Sequence, residues 1–502
     1  MTTDPDIPVQ SRAATYPGLR SPAVAPAARV ARAEPKPPAD RDGVVPASAV
    51  LPTVAAPPAA VAENTIDLGV ALRLAGVDNP TINLARERVE EAVAAHLAAR
   101  ALLLPSINVG GNFRRHRGAL QSATGQIREV DLQNLYLGAG AGAVGSGTVT
   151  VPGVRLFAHL GDAVYEPLAA RQRLTARTSD AHAVRNAVLL DVATAYLELA
   201  GAEARRDVLR RGETDVAEVL RLTEAYAEAG QGRRADVNRV AANAELVRRD
   251  LRRAEEDVAV ASARVCGLLS LDPSVRLRTP GGSVEPLRLV PEDGDPEPLV
   301  AAAVRARPEI FARSAEVLEA TTRVRQEQVR PWVPTVSVGY SGGAFGAGGS
   351  GRAQSADIGT LQGRSDFDVY AVWTAQNLGL GNRARVRTAD AGVGRAAAGY
   401  DDAVNRVRRE VVTAQAEARA AARQTDVART AVAAAEDGFR LETERIRQGQ
   451  GRPIETLDSF RQLLDARQEL IRAVVAFDTA QFRLLVAVGN DPRGAGTPPA
   501  PP

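Results

Sequence analysis

Two short stretches carry the residues best placed for chemistry, GQGRRADV at 230–237 and GQGRPIET at 449–456. Each sets a pair of glycines, Gly230 and Gly232 or Gly449 and Gly451, ahead of arginine and then a carboxylate. That carboxylate is Asp236 in the first stretch and Glu455 in the second, where Arg452 and Asp458 lie close in sequence. Acids six residues past a turn glycine suit electrostatics rather than bond-making, because a carboxylate in the first turn of a helix favours its dipole. Other candidates fall away on spacing. His96, His116, His159 and His182 show no metal-ligand pattern. Cys266 is the only cysteine, so no internal disulfide or cysteine metal cluster can form, and in ARVCGLL it reads as a small buried hydrophobe. Gly140, Gly142 and Gly145 satisfy GxGxxG but lack the flanking strand and helix of a dinucleotide site, and the sole lysine, Lys36, excludes a P-loop. With no nucleophile–base arrangement, the reading is of a non-enzyme without cofactor or metal.

The elements that hold the two glycine turns are written twice. After the first turn, Val240, Ala244, Val247, Leu251, Ala254, Val258, Ala261 and Val265 repeat at alternating spacings of four and three, the seam of a long packed helix. A shift of 219 residues gives Ser459, Leu463, Ala466, Leu470, Ala473, Phe477, Ala480 and Leu484 in the same register. Further helical sequence precedes each turn, over 178–229 and 389–448, long enough at about 50 residues to span about 75 Å. Composition agrees. Apolar residues make up 45% of the 502 but aromatics only 4%, so the apolar content is mostly helix-favouring Ala and Leu together with Val. A net charge of +2 gives no case for nucleic acid.

A second repeat precedes each hairpin. LLLPSINVGGNF (102–113) matches PWVPTVSVGYSG (331–342), with Pro105 against Pro334 and Val109 against Val338; proline stops a helix, and a two-residue apolar period follows. Further strands are expected at 148–160 and 367–380, with the glycine-rich stretches 138–147 and 339–351 as loops. The chain then divides into a Pro/Ala-rich leader (1–62), a first repeat (63–290), a second repeat (291–490) and a disordered tail (491–502). No apolar run is long enough for a membrane helix. Four strands of about ten residues are long enough to cross a bilayer when tilted. They cannot close a barrel alone, and open edges are not tolerated in lipid, so three chains sharing twelve strands is the arrangement expected.

In order and duplication these pieces resemble the TolC-type outer-membrane efflux family over about residues 65–490. The segments that carry it are AARALLLPSINVGGNF, DVATAYLELAGAEARRDVL, AYAEAGQGRRADVNRVAANAEL, QVRPWVPTVSVGYSGG, VWTAQNLGLGNRARVRTADA and RIRQGQGRPIETLDSFRQLLDARQEL. The resemblance implies a homotrimer, mainly α-helical, with a twelve-stranded barrel in outer-membrane lipid and long hairpins forming a periplasmic α-helical tunnel. It would be the passive exit duct of a tripartite efflux or type I secretion system, joined to an inner-membrane pump and a periplasmic adaptor. Gly230, Gly232, Gly449 and Gly451 would form the hairpin tips, where the tunnel closes and the adaptor docks, together with Asp236 and Arg452. Glu455 and Asp458 match acidic positions facing the tunnel, and threefold repetition would make them a cation-favouring ring. In this chain Gly451 stands where the family has arginine, with Arg452 one residue later, and Ile446 where it has an aromatic. An export signal and a lipid-anchor cysteine are not visible near the N-terminus.

Two other functions compete. A soluble coiled-coil scaffold would use the helices but has no need of the duplicated proline–strand segments, and a periplasmic adaptor normally carries one hairpin rather than two. For Glu455 and Asp458 the simpler role is favouring a helix N-terminus. Trp332 and Trp373, beside strands, suit either a membrane interface or ordinary packing.

Overall fold

The computed structural model describes residues 63–144, 147–281, 285–349 and 358–496. The leader expected over 1–62 lies outside them. The tail expected from 491 opens with a described 3-10 turn, Pro492–Gly496, while 497–502 lie outside.

In the first half β1 (Glu63–Thr65), α1 (Leu68–Asp78) and α2 (Pro80–Arg100) lead to β2 (Ser106–Ile107), β3 (Val109–Gln121), β4 (Ile127–Ala141), β5 (Val151–Pro152) and β6 (Val154–His159). Then come α3 (Leu160–Glu228) and α4 (Arg234–Leu268). The second half follows the same plan. It runs β7 (Arg276–Arg278), α5 (Glu297–Ala306), α6 (Pro308–Val329), β8 (Thr335–Gly349), β9 (Gln362–Val372), α7 (Leu380–Arg447) and α8 (Pro453–Val488).

The two long helices exceed expectation. α3 has 69 residues and α7 has 68, about 100 Å each at 1.5 Å per residue. α3 begins at Leu160 rather than 178 and runs through Pro167, a residue that usually stops a helix. An ion-pair ladder to the neighbouring α6 and its C-cap residue Arg330 braces this stretch: Asp162 with Arg330 (2.5 Å), Glu166 with Arg323, and Arg173 with Glu319. α4 packs on the far part of α3, and α8 on both α7 and α3. The expected seam is buried or half-buried at every position in both α4 and α8.

The strands correct the sequence reading. In the first half the second long strand is β4, and 148–160 supplies only β5 and β6. The glycine-rich stretches are partly strand, because Gly138 and Gly343 let β4 and β8 approach closely. A Cβ on Gly138 would lie 2.5 Å from the Gly343 Cα, and one on Gly343 would lie 2.4 Å from the Leu137 carbonyl. The sheet order is β3–β4–β8–β9, all antiparallel. β6 pairs with the first half of β8 (335–340) and β4 with the second (342–349), so the two lie in line along one strand edge.

Where the halves join, the linker is tied to the helices by buried side chains. Glu203 on α3 accepts the Thr279 N–H (3.0 Å) and Asp478 on α8 accepts that of Leu287 (2.7 Å). Gln481 accepts from Leu289 (3.0 Å) and Val290 (2.9 Å). The largest apolar core lies at this level, drawing on α1, α3, α4, α5, α6, α7 and α8.

Candidate functional site

Both hairpin turns adopt one geometry. Gly230 and Gly449 close the preceding helices at φ +74° and +75°, a region glycine enters without the Cβ penalty. The Tyr226 carbonyl accepts from Gln231 and Gly232 (3.2 and 3.0 Å), and the Arg445 carbonyl from Gln450 and Gly451 (2.9 and 3.1 Å). The second glycine serves a different need. A Cβ on Gly451 would sit 2.8 Å from the Ile446 nitrogen, and one on Gly232 would sit 3.1 Å from that of Ala227.

The two tips pack together in the chain. Val216 and Val219 of α3, Val240 and Val247 of α4, and Leu457 and Phe460 of α8 form one buried cluster, with Phe439 of α7 at 5.9 Å from Phe460. Polar contacts join the hairpins above it. Arg447 reaches Glu218 (3.3 Å), and Arg461 donates to Asn243 (2.7 Å). Arg221, with help from Arg447, holds the Glu218 carboxyl below its usual range. Of the residues singled out in the sequence, Asp236 lies in the first turn of α4 and pairs with Arg239 (3.5 Å). Asp458 pairs with Arg461 (3.8 Å) and is largely exposed. Glu455 is in the first turn of α8 and Arg452 is its N-cap residue. Among the described residues neither makes a side-chain ion pair. The Glu218–Arg447 and Asn243–Arg461 contacts have no local sequence signal, because their residues lie 229 and 218 apart.

The sheet is the second candidate surface. Register puts Phe113, Leu137, Ala344, Val338, Val154 and Phe367 on one face and Asn112, Asn134, Tyr136, Ser337, Arg364 and Asp366 on the other. The first face is apolar yet open to solvent: Val109 is 81%, Phe367 69% and Val369 59% exposed. Trp332 and Trp373 are also exposed, and both flank the rung that pairs Thr335 with Val372, at the helix end of the sheet. Among the described residues β3 and β9 keep one edge unpaired along their length. Among the described residues no helix is long and apolar enough to cross a membrane, and no group of acids, histidines or cysteine suits a metal ion.

A sequence model described as outer membrane efflux protein matches residues 71–270 and 299–490. The chain belongs to that family. Solved structures agree on the fold of this efflux-family chain. A membrane protein from Pseudomonas aeruginosa superposes with a TM-score of 0.68 at 21% identity, over 84% of this chain and 92% of its own. The Campylobacter jejuni CmeC outer membrane channel gives 0.67 at 16% identity, over 84% and 85%. The Neisseria gonorrhoeae MtrE outer membrane channel, in its open state, gives 0.63 at 19%, over 84% and 89%. No curated protein sequence matches it.

Proposed function

We propose that this chain is one third of a trimeric outer-membrane duct through which an efflux or type I secretion system discharges its substrate. The observation that carries the reading is the four-stranded sheet. It has one exposed apolar face, one polar face and two open edges, and it continues into helices about 100 Å long. An apolar face of tilted strands suits lipid, while unpaired strand edges do not. Pairing β3 of one copy with β9 of the next, three times round, removes both edges and closes twelve strands into a barrel with the polar face inward. The exposed tryptophans would then mark the periplasmic membrane surface.

The helices would continue the passage into the periplasm, ending at the tips, where a periplasmic adaptor would dock and an inner-membrane pump would feed the duct. We assign Gly230, Gly232, Gly449 and Gly451 to shaping those tips. Glu455 and Asp458 form, in threefold repetition, a carboxylate ring favouring cations, with Asp236 and Arg452 beside it. The Glu218–Arg447 pair ties the two hairpins and so resists opening. Single-channel recording from the detergent-purified protein in planar bilayers tests the reading. Discrete cation-preferring conductance is expected, and a folded protein that never conducts would refute it. A soluble scaffold would leave the apolar sheet face bare to water, against the usual limit on exposed patches.

A further inference from the structure

The first repeat carries an excursion that the second lacks. β9 runs directly toward α7, whereas the strand edge formed by β4 and β6 is broken between Ala141 and Val151. The described residues of this excursion, 142–144 and 147–150, fold onto the polar face of the sheet. Asn112 of β3 exchanges two hydrogen bonds with the Ala143 backbone (3.2 and 3.1 Å). Ala143 and Val149 bury Tyr136 completely, with Phe345 alongside. Thr150 donates back to the Gly142 carbonyl (2.8 Å), closing the base. Arg364 of β9 lies over the Phe345 ring (5.2 Å), pairs with Asp366 (2.9 Å) and donates to the Gly147 carbonyl. By register Asn112, Tyr136, Phe345 and Arg364 share one face.

Glycines make room for it and for β5, to which it returns. A Cβ on Gly339 would stand 2.8 Å from Pro152, and one on Gly140 would stand 2.9 Å from Val149. Four long strands and two glycines therefore shape one contact, although no edge pairing needs a layer there. We infer that the excursion is a constriction inside the barrel that sets the largest solute able to pass its outer part, with Arg364 as the strut holding it. This rests on the duct reading, which turns the polar face toward the lumen. A layer packed on a sheet sits up to about 10 Å from it, so three copies would narrow the passage substantially. The exposed described residues are small or uncharged (Val144, Gly147, Thr148, Thr150), which suits selection by size rather than by charge.

The test uses full-length protein in intact cells, labelled from outside with maleimides of increasing polyethylene glycol mass. Tyr370→Cys provides the target. It lies on the same polar face, six residues toward the helices from Arg364, and is 48% exposed; the native Cys266 is buried. Thr124→Cys, in the exposed β3–β4 turn at the other end of the sheet, is the reference. A second chain replaces residues 142–150 by Asn-Gly, which can close because Ala141 and Val151 are already cross-strand partners.

With the excursion present, small maleimides should label Tyr370→Cys and large ones should not. Its removal should raise labelling by the large probes about tenfold or more, and Arg364→Ala should give an intermediate rise. An identical size cut-off in all three, with Thr124→Cys fully labelled, would overturn the inference and leave the duct standing. Failure of every probe at Tyr370→Cys, again with the reference labelled, would overturn it too. Thr124→Cys unreachable from outside in the otherwise native chain would instead sink the duct reading. Should only the shortened chain fail to reach the surface, Arg364→Ala decides.

Discussion

Asp478→Asn should remove the pH dependence of stability that this buried carboxyl imposes at the junction between the two halves. The Asp478 carboxyl is fully buried on α8. One oxygen accepts the Leu287 N–H at 2.7 Å and the other is buried without a partner. Burial pushes its pKa from 3.8 up to about 7. Below 3.8 the group is protonated whether the chain is folded or unfolded, and its charge has no effect on stability. As pH rises from there toward 7, the unfolded chain ionises while the folded one holds its proton, so stability falls. Above 7 the penalty is constant, about 4 kcal/mol per chain at 1.36 kcal/mol per unit. Asparagine keeps the acceptor for Leu287 and carries no charge, but brings a buried N–H at a cost of about 1–3 kcal/mol. The variant should therefore be less stable than the parent at pH 4 and more stable at pH 8. The assay is thermal unfolding of both detergent-solubilised proteins across that range. Parallel pH curves for the two would refute the assignment of a strained buried carboxyl.

Three further outcomes follow from the tips. Gly451→Ala would press a methyl group into the Ile446 backbone and should loosen the second tip, costing about 1–3 kcal/mol, read as faster hydrogen exchange over 445–456. Arg447→Ala removes the pair with Glu218. An exposed pair is worth about 1 kcal/mol or less, so single-channel recordings should show an open probability raised by a few-fold, with the difference shrinking at high salt. Unchanged gating would remove this contact from the closed state. Glu455→Gln combined with Asp458→Asn should lower cation preference, and unaltered selectivity would exclude both from the narrowest ring.

Much of this was written locally in the chain. The paired glycines showed themselves because a helix that reverses needs positive φ at Gly230 and Gly449, and the seam of α4 and α8 showed itself because packing on a partner helix imposes its spacing. β4 escaped notice. IREVDLQNLYLGAGA places charges on both faces at its distal end and glycines where it meets β8, which hides the two-residue period. Residues 343–349 hide their strand for a like reason, since glycines chosen for close backbone approach look like loop. The contacts of Arg364, Asp478 and Arg447 join residues brought together only by the fold, and no local pattern announces them.

The central claim is a barrel that one chain cannot close. It is tested most directly by the mass of the particle extracted from outer membranes of cells expressing the protein with a working export signal. A detergent-dependent trimer in the outer-membrane fraction is the predicted result. A monomer or dimer that stays soluble without detergent would contradict the account and put a helical scaffold in its place.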